Sequence, residues 1–309
     1  MTGGGVNFST EHFSLMRRIS QLSALCLAVG VVNACTPEQV VETDAVPTGG
    51  VRFINAVPDT NQLDFRFVDI VENSAHFRIP FRNNVVTTAG VPASTLIQYK
   101  PTQAGQRHFR IFLSDTAQAV ASTVLKDSTI TVEAGKNYTV LLWGYANPAG
   151  PNRPAGAPAM KLSVFEENVA DPGAQVALRV INATGSTVDV SEYSATGTPP
   201  ATATWAAVAP LTISSFVTTA PDTIRYNVRS AGTTTNLFTD ARALVGAAAV
   251  TGPPGPFDAL PGTTVAGSSV TAIVFPRSVA GTKAPQAAAF QVPAISFMWD
   301  RRPPRPPGV

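Results

Sequence analysis

The sequence predicts an all-β protein made of two tandem immunoglobulin-like antiparallel β-sandwiches, and three observations predict it. The first is an internal repeat: Val51-Arg52-Phe53-Ile54-Asn55-Ala56 returns as Leu178-Arg179-Val180-Ile181-Asn182-Ala183. The second is alternation at period two after each copy, "LDFRF" at 63–67 and "VDVSE" at 188–192, which is the pattern of a strand with one buried face. The third is composition: 26 Pro and 23 Gly set among many Thr, Val and Ala favour short strands joined by turns over long helices. With 44% hydrophobic and 14% charged residues in 309, the chain can bury two cores of ordinary size. Lys plus Arg is 22 against Asp plus Glu at 20, so no global field draws nucleic acid, and none is expected as a partner.

Taken in order, the chain opens with a targeting segment. From Met16 it reads "MRRISQLSALCLAVGVVNACTPEQ": Arg17 and Arg18, an apolar run from Ile19 to Val32, then small residues before Cys35. Spanning a bilayer takes about 20 apolar residues, so the run reads as a secretion signal rather than a transmembrane helix. Val32-Asn33-Ala34-Cys35 resembles the bacterial lipobox, with an aliphatic residue three before the cysteine and a small residue just before it. The resemblance implies acylation of Cys35 and a membrane contact through the lipid; a plain cleaved signal is the alternative. Cys26 would leave with the signal, so Cys35 would be the one cysteine of the mature chain, and lipid attachment accounts for it. By resemblance to enterobacterial sorting rules, Thr36 rather than Asp in the second position implies the outer membrane. Residues 1–15 read as an upstream start-site extension, and 36–49 as a flexible tether.

The first sandwich is expected over 50–170. Phe53, Leu63, Phe65 and Phe67 should face its core, with Arg52 and Asp64 pointing outward. Strands "RHFRIFLS" at 107–114 and "IRYNVRS" at 224–230 follow in the same order in both halves, as do "EAGKNYTVLLWG" at 133–144 and "VAGSSVTAIVF" at 265–275. The last pair is read as two strands flanking an Ala-Gly turn, a hairpin whose second strand is apolar enough to be covered on both sides. The second sandwich is expected over 171–299, joined by the short acidic Pro-Gly turn of "FEENVADPG", which leaves neighbouring domains little freedom. It carries an apparent insertion, "GPPGPFDALPG" at 252–262, and ends in a last strand at 294–299 and an Arg/Pro-rich tail at 300–309.

"VRFINAVPDTNQLDFRF", "STVLKDSTITVEAGKNYTVLLWG" and "LRVINATGSTVDV" resemble the bacterial extracytoplasmic modules grouped as domain of unknown function 4397. The first copy matches over most of 50–167; in the second, Gly185-Ser186 stands for Pro58-Asp59 and Val270 for Tyr138. The resemblance implies a sandwich fold, export and tandem copies, and it supplies no catalytic residues.

Candidate chemistry is sparse. Beyond the signal only His76 and His108 remain as histidines, and neither has a partner at zinc-ligand spacing. Neither a nucleophile elbow nor a phosphate-binding glycine loop is present. Glu166, Glu167 and Asp171 read as a solvated turn, since adjacent residues on a strand point apart. Asn55, Asp59, Asn61 and Asp64 form the most calcium-like oxygen cluster, although Asp and Asn beside Pro are ordinary turn chemistry, and that reading is preferred. Trp143 and Trp205 read as core anchors rather than a sugar-stacking platform. Arg301, Arg302 and Arg305 form a candidate docking tail for an acidic partner; a solvated end is the preferred reading. The function expected is a non-catalytic cell-envelope lipoprotein, a binding or scaffold module without cofactor, whose partner is an envelope protein or polysaccharide. A carbohydrate-binding or adhesion accessory protein is the alternative, and an exported hydrolase a third.

Overall fold

The computed structural model describes residues 46–71, 78–84, 99–167, 169–251 and 257–304; the signal with Cys35, most of the tether, His76 and Arg305 lie outside the described residues. Alternating and apolar runs fold as short strands. The first half carries β1 (Thr48–Ala56), β2 (Leu63–Phe67), β3 (Arg78–Ile79), β4 (Lys100–Gln103), β5 (Gly105–Leu113), β6 (Val124–Val132), β7 (Asn137–Trp143) and β8 (Lys161–Glu166). The second carries β9 (Val176–Asn182), β10 (Val188–Ser194), β11 (Trp205–Val208), β12 (Thr212–Ile213), β13 (Val217–Thr219), β14 (Ile224–Ser230), β15 (Asn236–Arg242), β16 (Ser269–Phe275) and β17 (Ala294–Arg301).

These strands form four sheets. In the first half, β3-β2-β5-β6 faces β4-β1-β7-β8; in the second, β11-β10-β14-β15 faces β12-β9-β16-β17, with β13 also on β9. One core fills the first pair, from Val51 and Phe53 on β1, Leu63 and Phe67 on β2, Phe109 and Ile111 on β5, and Val140 and Leu142 on β7. A second fills the other pair, from Leu178, Val190, Trp205, Tyr226, Val270 and Phe297. The chain is thus all-β, with sandwiches in both halves.

The two inner sheets also pack on each other. Residues one step out of phase with the sandwich cores, Ile54, Ala56, Leu141 and Trp143 from the first half, meet Ile181, Ala183, Ile273, Phe275 and Met298 from the second. This third core explains why β1, β7, β9 and β16 read as almost continuous apolar runs: each is buried on both faces, the second face by the other half of the molecule.

Three expectations are corrected. The sandwiches are not wholly antiparallel, because β1 runs parallel to β7 and β9 parallel to β16. The Ala-Gly turn does not close a hairpin: β6 pairs with β5 and β7 with β1 and β8, so the turn carries the chain from one sheet to the other. Gly135 supplies the positive φ of 77° that this crossing requires. Finally, β17 runs to Arg301, two residues past the expected end, which moves Asp300 and Arg301 out of the tail and into a strand.

If the third core joins the halves, Phe275→Ala should cost about 3–5 kcal/mol, because its ring is fully buried and meets Phe81 of the first half edge-on. Chemical denaturation of the variant checks this, and the loss should appear in the unfolding of both halves together.

Candidate functional site at the junction

The inner-sheet contact is layered along the strands. Strand register puts Arg52 beside Thr139, Ile54 beside Leu141 and Ala56 beside Trp143; in the second half it puts Arg179 beside Thr271 and Ile181 beside Ile273. One end of the junction is therefore ionic and the middle is apolar. Beyond the apolar layers, Tyr145 and Arg277 stand two residues past Trp143 and Phe275.

The ionic layer holds two cations and two anions in near-symmetric pairs. Arg52 Nε donates to Thr139 Oγ1 at 2.7 Å, and Arg179 Nε to Thr271 Oγ1 at 2.7 Å. Thr139 Oγ1 donates to Glu167 Oε1 at 2.6 Å, and Thr271 Oγ1 to Asp300 Oδ2 at 2.5 Å. The guanidinium groups then cross-link: Arg52 Nη2 reaches Glu167 Oε1 at 3.1 Å and Asp300 Oδ1 at 2.5 Å, while Arg179 Nη2 reaches Glu167 Oε2 at 2.6 Å and Asp300 Oδ1 at 3.2 Å. Each guanidinium also lies on an aromatic ring, Arg52 on Tyr99 at 4.4 Å and Arg179 on Phe216 at 4.6 Å. Burial by itself would lower the Arg52 pKa, but Asp300, Tyr99 and Glu167 outweigh it and hold the group above its ordinary value. The side chains of Glu167 and Asp300 are 2% and 0% exposed, so this quartet holds structure together and is closed to substrate.

Arg52, expected to point into water, is thus corrected to a buried lock. Glu167 is likewise no part of a solvated turn; its neighbour Glu166, the last residue of β8, is the exposed one, paired with Lys136 at 3.0 Å. The outward expectation failed because the second face of each inner sheet meets protein. Glu167 and Asp300 were missed, along with Thr139 and Thr271, although the signal is present: "SVFEE" at 163–167 and "SFMWD" at 296–300 end corresponding strands on an acid.

A second anchor reaches across the halves. Arg82, in left-handed backbone at φ 57°, inserts its fully buried guanidinium among carbonyls of the 276–292 loop, donating to Pro276, Ala289 and Val292. Burial pulls its pKa down to about 10, so it stays charged at neutral pH. Backbone bonds support the same seam, with Val279 N donating to Pro58 O at 2.9 Å.

The structure separates the four oxygen-bearing residues considered for calcium. Asp59 accepts from Ala146 N and Asn147 N, both at 2.9 Å, and from Arg153 at 2.8 Å. Asn55 bonds Asn83, Ile79 O and its own turn at Val57 N. Asp64, buried rather than outward, pairs with Arg66 at 3.0 Å, and Asn61 is exposed. The groups around Asp59 are N–H donors, and the Asp64 pair lies within β2. Trp143 sits in the inter-half core and Trp205 in the second sandwich core. His108 has a carboxylate neighbour after all, the cross-strand Asp127, which also accepts from Arg110. The hydrogen bonds from His108 and Arg110 hold the Asp127 carboxyl below its ordinary range. At the end of β17, Arg301 pairs with Asp171 at 2.6 Å, and in the tail Arg302 covers the Trp299 ring at 4.8 Å.

Two cavities lie near the far end of the junction. One, of about 240 Å³, is lined by Tyr145, Asn152, Arg277, Ser278 and Gln291 among others. The other, of about 300 Å³, has Asp59 and Arg153 beside Leu113, Val120 and Leu125. Away from both, Glu192 on β10 is half-buried, and burial followed by the nearby Asp222 charge raises its pKa.

Fold and junction define a class: an all-β protein in which two β-sandwiches are fused face to face by a buried arginine–carboxylate quartet. Residues 49–193 match the family model described as Domain of unknown function (DUF4397). The matched segment takes in Arg52, Thr139, Glu167 and Arg179 and runs through β9 and most of β10. No curated protein matches the chain significantly.

Removing one member of the quartet leaves a buried charge without its partner, so Asp300→Asn should cost about 3–5 kcal/mol. Glu166→Gln, at the exposed neighbour of Glu167, should change stability by less than about 0.5 kcal/mol. Urea titrations of the two variants give the comparison, and equal effects would show that the quartet does not hold the halves together. For Glu192 the folded state binds its proton more tightly than the unfolded state does. Stability is therefore lost as pH rises above the ordinary Glu value. Glu192→Gln should raise the thermal midpoint at pH 7 and bring no gain at pH 3, as paired melting curves would show.

Proposed function

We propose that the protein is a non-catalytic, lipid-anchored envelope protein whose fused sandwiches serve as a rigid binding or scaffold platform, in domains spanning about 50–170 and 171–299. The observation that carries the scaffold reading is the fate of the charged groups. Arg52, Glu167, Arg179 and Asp300, the richest cluster of opposite charges here, are sealed in the junction. A hydrolase needs convergent polar groups open to substrate; these four are committed to holding the two halves.

The anchoring half of the proposal is supported by Val32-Asn33-Ala34-Cys35 behind its basic and apolar run, and by the polar tether up to residue 49. A single acyl chain gives only marginal membrane binding, so the multiple acylation of a lipoprotein cysteine fits a durable anchor. Thr36 supports the outer membrane as its location. The platform would then meet an envelope protein or polysaccharide at the end of a tether.

Metabolic labelling with a tritiated fatty acid tests the anchor. The wild-type chain should carry label and Cys35→Ser should carry none; label retained in the variant would end the lipoprotein reading.

A further inference from the structure

The cavity of about 240 Å³ exists only because both halves contribute to it. Tyr145 and Asn152 come from the loop after β7, and Arg277, Ser278 and Gln291 from the corresponding loop after β16. Its walls are fixed: Asn152 Nδ2 donates to Ala280 O at 3.1 Å, and Ser278 N to Phe290 O at 2.7 Å.

Two groups in this cavity lack what their chemistry calls for. Ser278 is 1% exposed, and its hydroxyl has no hydrogen-bond partner among the described residues. A buried polar atom left so is destabilising, and it commonly marks a place where a ligand or water bonds. Arg277 is exposed and makes no ion pair or hydrogen bond among the described residues, while every other arginine of the junction is engaged. None of the residues lining the cavity is acidic. Asp59, whose charge bears on Tyr145, is already neutralised by Arg153.

We infer that this cavity binds a small carboxylate bearing several hydroxyl groups, the chemistry of a hexuronic acid. This rests on the binding-module reading above and names its ligand class. The planar guanidinium of Arg277 matches a carboxylate in two parallel bonds. Ser278 takes a ring hydroxyl, and the Asn152 and Gln291 amides take others. The volume lies below the range of about 300–1,000 Å³ usual for drug-sized ligands, which selects a single sugar ring over a longer chain. A neutral hexose leaves Arg277 without its partner, and acetate leaves the Ser278 hydroxyl unmet.

Calorimetric titration of the full chain in detergent, at constant ionic strength, uses glucuronate, glucose and acetate as probes. Glucuronate should bind about tenfold or more tightly than either of the others, the size of one hydrogen bond to a charged group. Arg277→Gln should lower glucuronate affinity about tenfold or more with an unchanged thermal midpoint, and Ser278→Ala should lower it severalfold. Glucose or acetate binding as well as glucuronate, an Arg277→Gln chain that binds normally, or no glucuronate binding at all would each overturn the assignment. Failure here in a chain that still takes the fatty-acid label and melts in one transition removes the ligand and leaves the anchored platform standing. Loss of the label or of the single transition strikes the platform itself.

Discussion

The rest of the structure depends on a buried exchange of charge between two copies of one strand. Arg52 and Arg179 occupy the same place in the repeat, and each bonds the threonine beside it on the parallel neighbour strand and then both carboxylates. Two positive and two negative groups leave no net charge in the quartet, and the two flanking aromatic rings complete the solvation of the guanidinium faces. A buried ion pair is a poor source of net stability compared with well-packed hydrocarbon. Its use here is in register: the apolar layers of Ile54, Leu141, Ile181 and Ile273 tolerate sliding, whereas the quartet is satisfied in one arrangement only.

The remaining features follow from that arrangement. Because the inner sheets face each other, their strands need apolar residues on both sides, and the outer sheets are left to meet solvent. The loops after β7 and β16 are carried to the same end of the seam, where Arg82, Val279 and Pro58 tie them down. The cavity with Arg277 and Ser278 is a product of the pairing of halves, and one copy alone supplies only part of its wall.

Much of the fold was legible in the sequence, because period-two alternation and a repeat are local signals. "LDFRF" and "IRYNVRS" fold as strands with the bounds read from the residues. Sheet membership was not legible: an Ala-Gly turn looks the same whether it closes a hairpin or crosses between sheets. The exposure of Arg52 was misjudged for a related reason. Alternation tells which residues share a face, but not what lies beyond it, and here the far side is a second sandwich. Glu167 and Asp300 were hidden by their neighbours, one by Glu166 in an acidic turn and the other by the arginines and prolines that follow it. The two threonines and two acids at matching positions of the repeat were the available signal, and it becomes readable only once the arginines are known to be buried. For the site, single residues such as Tyr145 and Arg277 carry no motif; what joins them is strand register across both halves.

The hydrogen bond from Arg52 to Asp300 joins residues 248 apart in sequence. In a chain made from its N-terminus, β1 is complete long before β17. Until β17 arrives, Arg52 lacks one of its two carboxylates, and the apolar outer face of the first inner sheet lacks the part of its cover that Met298 supplies. Contacts of such long sequence separation form slowly, since a large loop must close before they reward it. The quartet therefore works as a clasp that cannot shut until β17 has been made, and it ties the first sandwich to a strand of the second.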